Sequence, residues 1–124
     1  MLFAHGARDP RWAEPFDEVA RRVGLAEPAA AVQLAFLEFM TPTLREAGDL
    51  LASAGCVRVD VVPLFLGAGG HVRKDLPLLL DQLGAAHPGV QWRLQPAIGL
   101  ADRVIEAMAV AALALTAAPA APAA

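Results

Sequence analysis

The sequence predicts an α/β fold: a four-stranded parallel sheet flanked by helices on both faces, in a single lobe. Three observations lead there. Short apolar runs of β type alternate four times with segments of helical period, the pattern of a parallel sheet covered on both sides. The first and third runs break into glycine and the second into Thr-Pro, so each strand hands over abruptly to the helix that follows. The length, 124 residues, suits one domain, and 56% hydrophobic residues can fill its core. The domain is expected over residues 1–116, with a flexible Ala/Pro tail over 117–124.

Met1 to Ala4 is the first strand and stops at His5-Gly6. Only four residues precede His5, so this strand is expected to be weakly anchored. Asp9 can cap the next helix and Pro10 suits its first turn, after which Trp12, Phe16, Val19 and Val23 recur at helical spacing until Gly24. Ala31 to Leu37 is the second strand, closing on Glu38-Phe39-Met40; Thr41 as N-cap and Pro42 as first residue then announce a helix with Leu44, Ala47, Leu51 and Ala54 inward, ended by Gly55. Val57 to Leu66 is the third strand. A helix with Leu76, Leu79, Leu80 and Leu83 inward follows, with Pro77 near its first turn or at a kink. Ala86 to Gly89 turns the chain into a fourth, weaker strand, Val90 to Leu94. The last helix starts near Ala101 and is expected to point Val104, Met108, Ala111 and Leu115 at the sheet.

Composition narrows the function classes. A net charge of −3 argues against a general nucleic-acid binder. The single cysteine, Cys56, cannot form an internal disulfide and reads as a small core filler. No basic segment followed by an apolar one opens the chain, and Pro119 and Pro122 interrupt the alanine-rich end before it could cross a membrane, so a cytoplasmic location is expected.

The stretch Val61 to Pro77, VVPLFLGAGGHVRKDLP, is the centre of the chain's chemistry. A buried strand leads into Gly67, Ala68, Gly69 and Gly70, then His71, then a helix. Loops at the carboxyl ends of parallel strands open onto the ligand crevice, and a backbone with so few side chains admits a large flat ligand. Strand one delivers His5 to the same edge and strand two delivers Glu38. Two imidazoles and a carboxylate suit a borderline divalent ion, and three protein ligands leave coordination positions open for exchange. Arg8, Arg11, Arg73 and Lys74 lie beside the two histidines and suit an anionic ligand. His87, in a helix-to-strand turn, reads as structural.

FAHGARDPRW, LAFLEFMTPTL and VVPLFLGAGGHVRKDLP, in that order and spacing, resemble the small class II chelatases of the sirohydrochlorin cobaltochelatase/ferrochelatase (CbiX-like) family. The resemblance runs over nearly the whole chain up to the tail. It implies a single chelatase-like lobe and a lyase that inserts a divalent metal, cobalt first and iron or nickel as alternatives, into sirohydrochlorin on the way to cobalamin or a siroheme-type tetrapyrrole. By analogy, His5 and His71 hold the metal, Glu38 assists proton removal, and Phe65, Leu66, Gly67, Ala68, Gly69 and Gly70 contact the macrocycle together with Thr41. Arg8 and Arg73 can meet its carboxylates through charge-assisted hydrogen bonds. No organic cofactor is implied, the divalent metal being a substrate. One departure is Ala7, which stands where the family usually has serine. A single lobe offers half of a cleft, so a homodimer is expected, with no nucleic-acid or membrane partner. Two other readings use the same residues. One is a non-catalytic metal or tetrapyrrole carrier. The other is a histidine phosphatase, to whose Arg-His-Gly signature the HG pair is similar, although Ala4 stands at the arginine position and the chain is short for that fold.

Overall fold

A computed structural model describes residues 1–67 and 69–117; Ala68, the tail from residue 118 onward and the side chain of His71 lie outside the described residues. The chain runs β1 (Leu2–Ala4), α1 (Glu14–Ala26), β2 (Leu34–Phe36), α2 (Leu44–Ser53), β3 (Arg58–Pro63), α3 (Gly70–Ala86), β4 (Gln91–Leu94) and α4 (Asp102–Ala117), with one 3-10 turn before α1 and another before α4. The sheet order is β2-β1-β3-β4, and every pairing is parallel. The predicted fold class is therefore the observed one.

Short as it is, β1 is central and not weakly anchored. It pairs with β2 on one side (Leu2 with Leu34, Ala4 with Phe36) and β3 on the other (Leu2 with Val62, Phe3 with Pro63). Burial on both faces explains why its residues are all apolar: Leu2, Phe3 and Ala4 are buried. On one face Phe3, Val59, Val61 and Phe65 meet Leu44, Ala47 and Leu51 of α2 and Leu76, Leu80 and Leu83 of α3. On the other, Leu2, Ala4, Leu34 and Phe36 meet Phe16 and Ala20 of α1. The helices that follow β1 and β3, neighbouring strands, thus leave to opposite faces. That divergence opens a crevice at the carboxyl ends of these two strands, the topological switch point where α/β sheets bind ligands.

Several local expectations change. Asp9 caps the 3-10 turn Pro10–Ala13 rather than α1 itself, its carboxylate accepting from the Arg11 backbone at 2.9 Å. α1 continues through Gly24 to Ala26, since nothing there demands a left-handed residue. The cap of α2 is Thr43, not Thr41: its hydroxyl accepts from Glu46 N at 3.2 Å, while the Glu46 carboxylate accepts from Thr43 N at 3.3 Å. Thr41 and Pro42, joined by a cis peptide bond, lie before the helix, where the Pro42 carbonyl accepts from Phe36 N at 2.9 Å and so extends the edge of β2.

The largest departure is α4. None of its residues is buried, and Met108, Ala111 and Leu115 face solvent instead of the sheet. The face left to it explains why. Over β3 and β4 that face displays Arg58, Asp60, Arg93 and Gln95, with the Asp60 carboxylate taking Arg93 Nε at 2.9 Å and Gln95 Nε2 at 3.0 Å. Laying an apolar helix over this network would strip water from charged groups without offering them partners.

Candidate functional site

Register fixes which residues meet at the crevice. Leu37 N donates to Ala4 O at 2.8 Å and Leu64 N to Phe3 O at 2.7 Å, so the chain leaving each strand emerges level with its neighbours. His5, Glu38 and the loop from Phe65 arrive at one edge. His5 Nδ1 lies 3.5 Å from Glu38 Oε1, and the two side chains are 45% and 36% exposed, open to an incoming ligand. Phe65 is buried, and its ring lies against the imidazole with centroids 4.3 Å apart and planes inclined by 30°. The residue expected as a macrocycle contact is thus the floor on which His5 rests.

Two further supports hold His5. Trp12 Nε1 donates to the His5 carbonyl at 2.7 Å. Gly6 gives room for the approach of β2, because a β-carbon at that position would collide with the Glu38 carbonyl oxygen. The histidine-glycine pair is therefore one steric unit: glycine next to histidine is what lets glutamate come alongside.

Beyond Glu38 the backbone turns sharply. Phe39 has φ 63°, in the left-handed region that a phenylalanine seldom adopts, and its exposed ring sits under the Arg8 guanidinium, 5.2 Å from Cζ to centroid. Spacing could not have revealed this, since a phenylalanine between Glu38 and Met40 reads as strand. Thr41 is exposed on the same connection.

The glycine loop behaves differently from Gly6. Among the described residues, β-carbons on Gly67, Gly69 or Gly70 would meet nothing, and none of the three has a positive φ. The fold itself does not require glycine there; what their absence of side chains preserves is open space above the loop. Leu66 is exposed beside it. Gly99, in the turn before α4, does have a packing reason, since a β-carbon would run into the Leu66 backbone, and its N–H donates to Phe65 O at 2.9 Å. No sequence signal marked Gly99 as a brace for the loop. Ala68, expected at the macrocycle, lies outside the described residues.

His71 is the second residue of α3, whose N-cap, Gly69, brings no side-chain acceptor to the helix start. The first N–H groups of α3 therefore face the crevice edge with the positive end of the helix dipole. Among the described residues no group of three or more His, Cys, Asp and Glu side chains is placed to hold a metal; His5 and Glu38 are two, and the side chain of His71 is not among the described. Arg8, Arg73 and Lys74 form no ion pair among the described residues, whereas Arg11 is engaged by Asp9, Nη2 to Oδ2 at 2.8 Å. His87 is structural as expected, with Nε2 2.6 Å from Asp49 Oδ1, joining the end of α3 to α2.

The crevice edge is open rather than enclosed. A groove of about 950 Å³ lies at the opposite end of the sheet around Met1, Glu27, Cys56 and Asp60, and a smaller one of about 160 Å³ lies between Phe65, Leu76 and Leu94. The former lies far from the chemistry-bearing residues and lines no titratable cluster with them.

Comparison with known proteins supplies the context. The family model described as CbiX matches residues 1–112. A sirohydrochlorin cobaltochelatase of Sulfurisphaera tokodaii is 31% identical over 106 residues, 86% of this chain and 83% of that protein. One of Saccharolobus solfataricus is 38% identical over 80 residues, 64% of this chain and 61% of the relative. Among solved structures, a cobalamin (vitamin B12) biosynthesis CbiX protein from Marinobacter aquaeolei VT8 superimposes with a TM-score of 0.80 at 36% identity, over 94% of this chain and 96% of that one. The sirohydrochlorin chelatase SirB from Bacillus subtilis subspecies spizizenii, solved in complex with cobalt, superimposes with a TM-score of 0.74 at 23% identity, a likeness of fold; 92% of this chain covers 49% of SirB, so the chain spans about half of that protein.

Proposed function

The chain belongs to the CbiX family, and from that premise we propose that it inserts a divalent metal ion into sirohydrochlorin, with cobalt the first candidate and iron or nickel the alternatives. One observation carries the reading: His5 and Glu38, delivered by adjacent strands, meet at 3.5 Å beside a glycine loop that leaves the space above it clear.

Metallation of a tetrapyrrole removes two pyrrole protons while the ion exchanges its water for ring nitrogens. Three demands follow: a ligand that binds the ion and lets it go, a base, and a surface for a flat polyanion. Neutral imidazole meets the first demand. With Nδ1 of His5 turned to Glu38, Nε2 is the nitrogen left for the ion, and the neighbouring carboxylate favours that orientation of the ring. His71, at the mouth of α3, is the proposed second ligand. Glu38 is exposed enough to accept a pyrrole proton from a bound ring, and proton transfer to such a positioned group is worth about 10²–10⁴-fold.

For the macrocycle, Leu66 and the glycines at 67, 69 and 70 are the proposed surface, with Thr41 at its margin and Ala68 as a further proposed contact. Phe65 acts from beneath, through His5. Arg8 and Arg73 are the residues proposed to meet the ring's carboxylates, aided by the amino end of α3. Only one side of a flat ligand can be covered by this edge. A second copy covering the other side makes the working unit a homodimer, acting in the cytoplasm; no helix among the described residues is long and apolar enough to cross a membrane. Residues 1–116 act as the chelatase domain and the segment from 117 as an appendage.

The test is a metallation assay: sirohydrochlorin with cobalt, iron and nickel in parallel, followed by the absorbance change on metal insertion. Turnover above the uncatalysed rate with at least one ion is expected. Tight binding of ion and tetrapyrrole with no rate above background would replace the enzyme by a carrier.

A further inference from the structure

Phe39 is held in a conformation from which the lobe gains no packing. Met40 N donates to Glu38 O at 2.8 Å, closing a three-residue turn around Phe39, whose φ is 63°. A turn this tight, with a positive φ at its centre, is rare and strained for a residue that carries a side chain. It throws the ring outward, 64% exposed, so burial does not offset the strain. An exposed aromatic alone calls for no explanation, but one on strained backbone does. What the ring meets is Arg8, whose Cζ lies 5.2 Å from its centroid.

We infer that Phe39 is a positioning residue: its ring holds the Arg8 guanidinium at the crevice rim and leaves the N–H edge free for a peripheral carboxylate of the tetrapyrrole. The inference rests on the chelatase reading and names the residue that aims its anion contact. Placement in the fold supports it. Arg8 follows His5 by three residues and Phe39 follows Glu38 directly, so the pair joins the exits of β1 and β2 beside the 3.5 Å approach of His5 to Glu38. The backbone on either side of Arg8 is already fixed, by the Trp12 Nε1 bond to His5 O at 2.7 Å and by the Asp9 cap. Only the direction of the long side chain is left for Phe39 to set.

An aromatic face attracts a guanidinium without using any of its N–H donors, which lie in the guanidinium plane. A carboxylate partner within the chain would take those donors and cancel the charge. Arg11 shows the contrast, since its Nη2 meets Asp9 Oδ2 at 2.8 Å, whereas Arg8 forms no ion pair among the described residues. An arginine held by a ring and otherwise unpaired has given up side-chain freedom before its anion arrives, so the anion binds more tightly. Direct stacking of Phe39 on the macrocycle is the competing role for an exposed ring. The two roles differ in whether the effect of Phe39 passes through Arg8.

The experiment titrates metal-free sirohydrochlorin, followed by its fluorescence, with the full chain as wild type, Phe39→Leu, Phe39→Trp, Phe39→Gly, Arg8→Met and the Phe39→Leu/Arg8→Met double variant. Thermal unfolding and the KM and kcat of cobalt insertion are read alongside. Phe39→Leu should raise Kd and KM about fivefold, with kcat changing less, and Phe39→Trp should restore the wild-type values. Arg8→Met should raise Kd by about tenfold or more, and the double variant should lose no more than Arg8→Met alone. Phe39→Gly, freed of the strain, should melt at or above the wild type while binding as weakly as Phe39→Leu. Wild-type affinity in Phe39→Leu, a double variant whose loss is the product of the two single losses, or a Phe39→Gly chain melting several degrees lower would each overturn the inference. The second result would make the ring a stacking surface for the macrocycle, and the third a packing residue. Failure of the chelatase reading looks different: a wild type that leaves sirohydrochlorin unbound removes that reading and this inference together, whereas binding indifferent to Phe39→Leu removes the inference alone.

Discussion

The carbonyl oxygen of Glu38 occupies the space that a side chain on residue 6 would need. Gly6 and Glu38 each lie two residues past the ends of neighbouring strands, β1 and β2, and their close approach is what sets the Glu38 carboxylate beside His5 at 3.5 Å. The glycine of the histidine-glycine pair is thus a spacer between strands, and its effect on chemistry passes through the position of glutamate.

Gly6→Ala follows directly. The methyl group must push the Glu38 backbone aside, an overpacking cost of about 1–3 kcal/mol. Thermal unfolding should shift down by several degrees, and metallation should fall at least tenfold because the carboxylate moves with its backbone. An alanine variant with wild-type melting and rate would show that the two strands can separate at no cost.

Gly69→Val should separate fold from function. A side chain there meets nothing among the described residues, and the backbone, at φ −70° and ψ 167°, suits a β-branched residue. Because Gly69 is the N-cap of α3, where valine is disfavoured, stability should fall by only about 1 kcal/mol. The KM for sirohydrochlorin should rise at least tenfold, with kcat less affected, since the added bulk takes the space proposed for the ring. Unchanged steady-state kinetics would place the macrocycle elsewhere.

Acid titration addresses the structural histidine. The Asp49 carboxyl lies below its ordinary value of 3.8, chiefly because His87 is hydrogen-bonded to it, with Arg45 adding to the effect. A depressed carboxylate contributes stability above 3.8 that is lost as pH falls through the folded value. Both partners are only half-buried and water screens the pair, so the contribution is about 1 kcal/mol or less. Asp49→Asn should therefore melt a few degrees below the wild type at pH 7, and the difference should close below 3.8. A gap constant down to strong acid would mean that Asp49 contributes by packing alone.

The alternation of runs and turns was enough to read the parallel sheet, and glycine-flanked histidines were enough to find the crevice edge. What stayed hidden has physical reasons. Helical spacing says that α4 has apolar positions but not whether its own lobe has a face for them, and Arg58, Asp60 and Arg93 make that face polar only once β3 and β4 are paired. Thr41 and Thr43 both precede helix-forming residues, and only the reach of Glu46 back to Thr43 decides between them. Phe65 looked like part of a ligand loop because local sequence cannot show that β1 places His5 over its ring. The brace from Gly99 to Leu66 joins residues remote in sequence and leaves no local trace.

The proposal that one ion is held between the first and third strand ends is tested most directly by His5→Ala and His71→Ala, assayed for metallation of sirohydrochlorin and for thermal unfolding. The account predicts at least a 100-fold loss of metallation in each variant with the unfolding transition retained. Wild-type rates in both would contradict it.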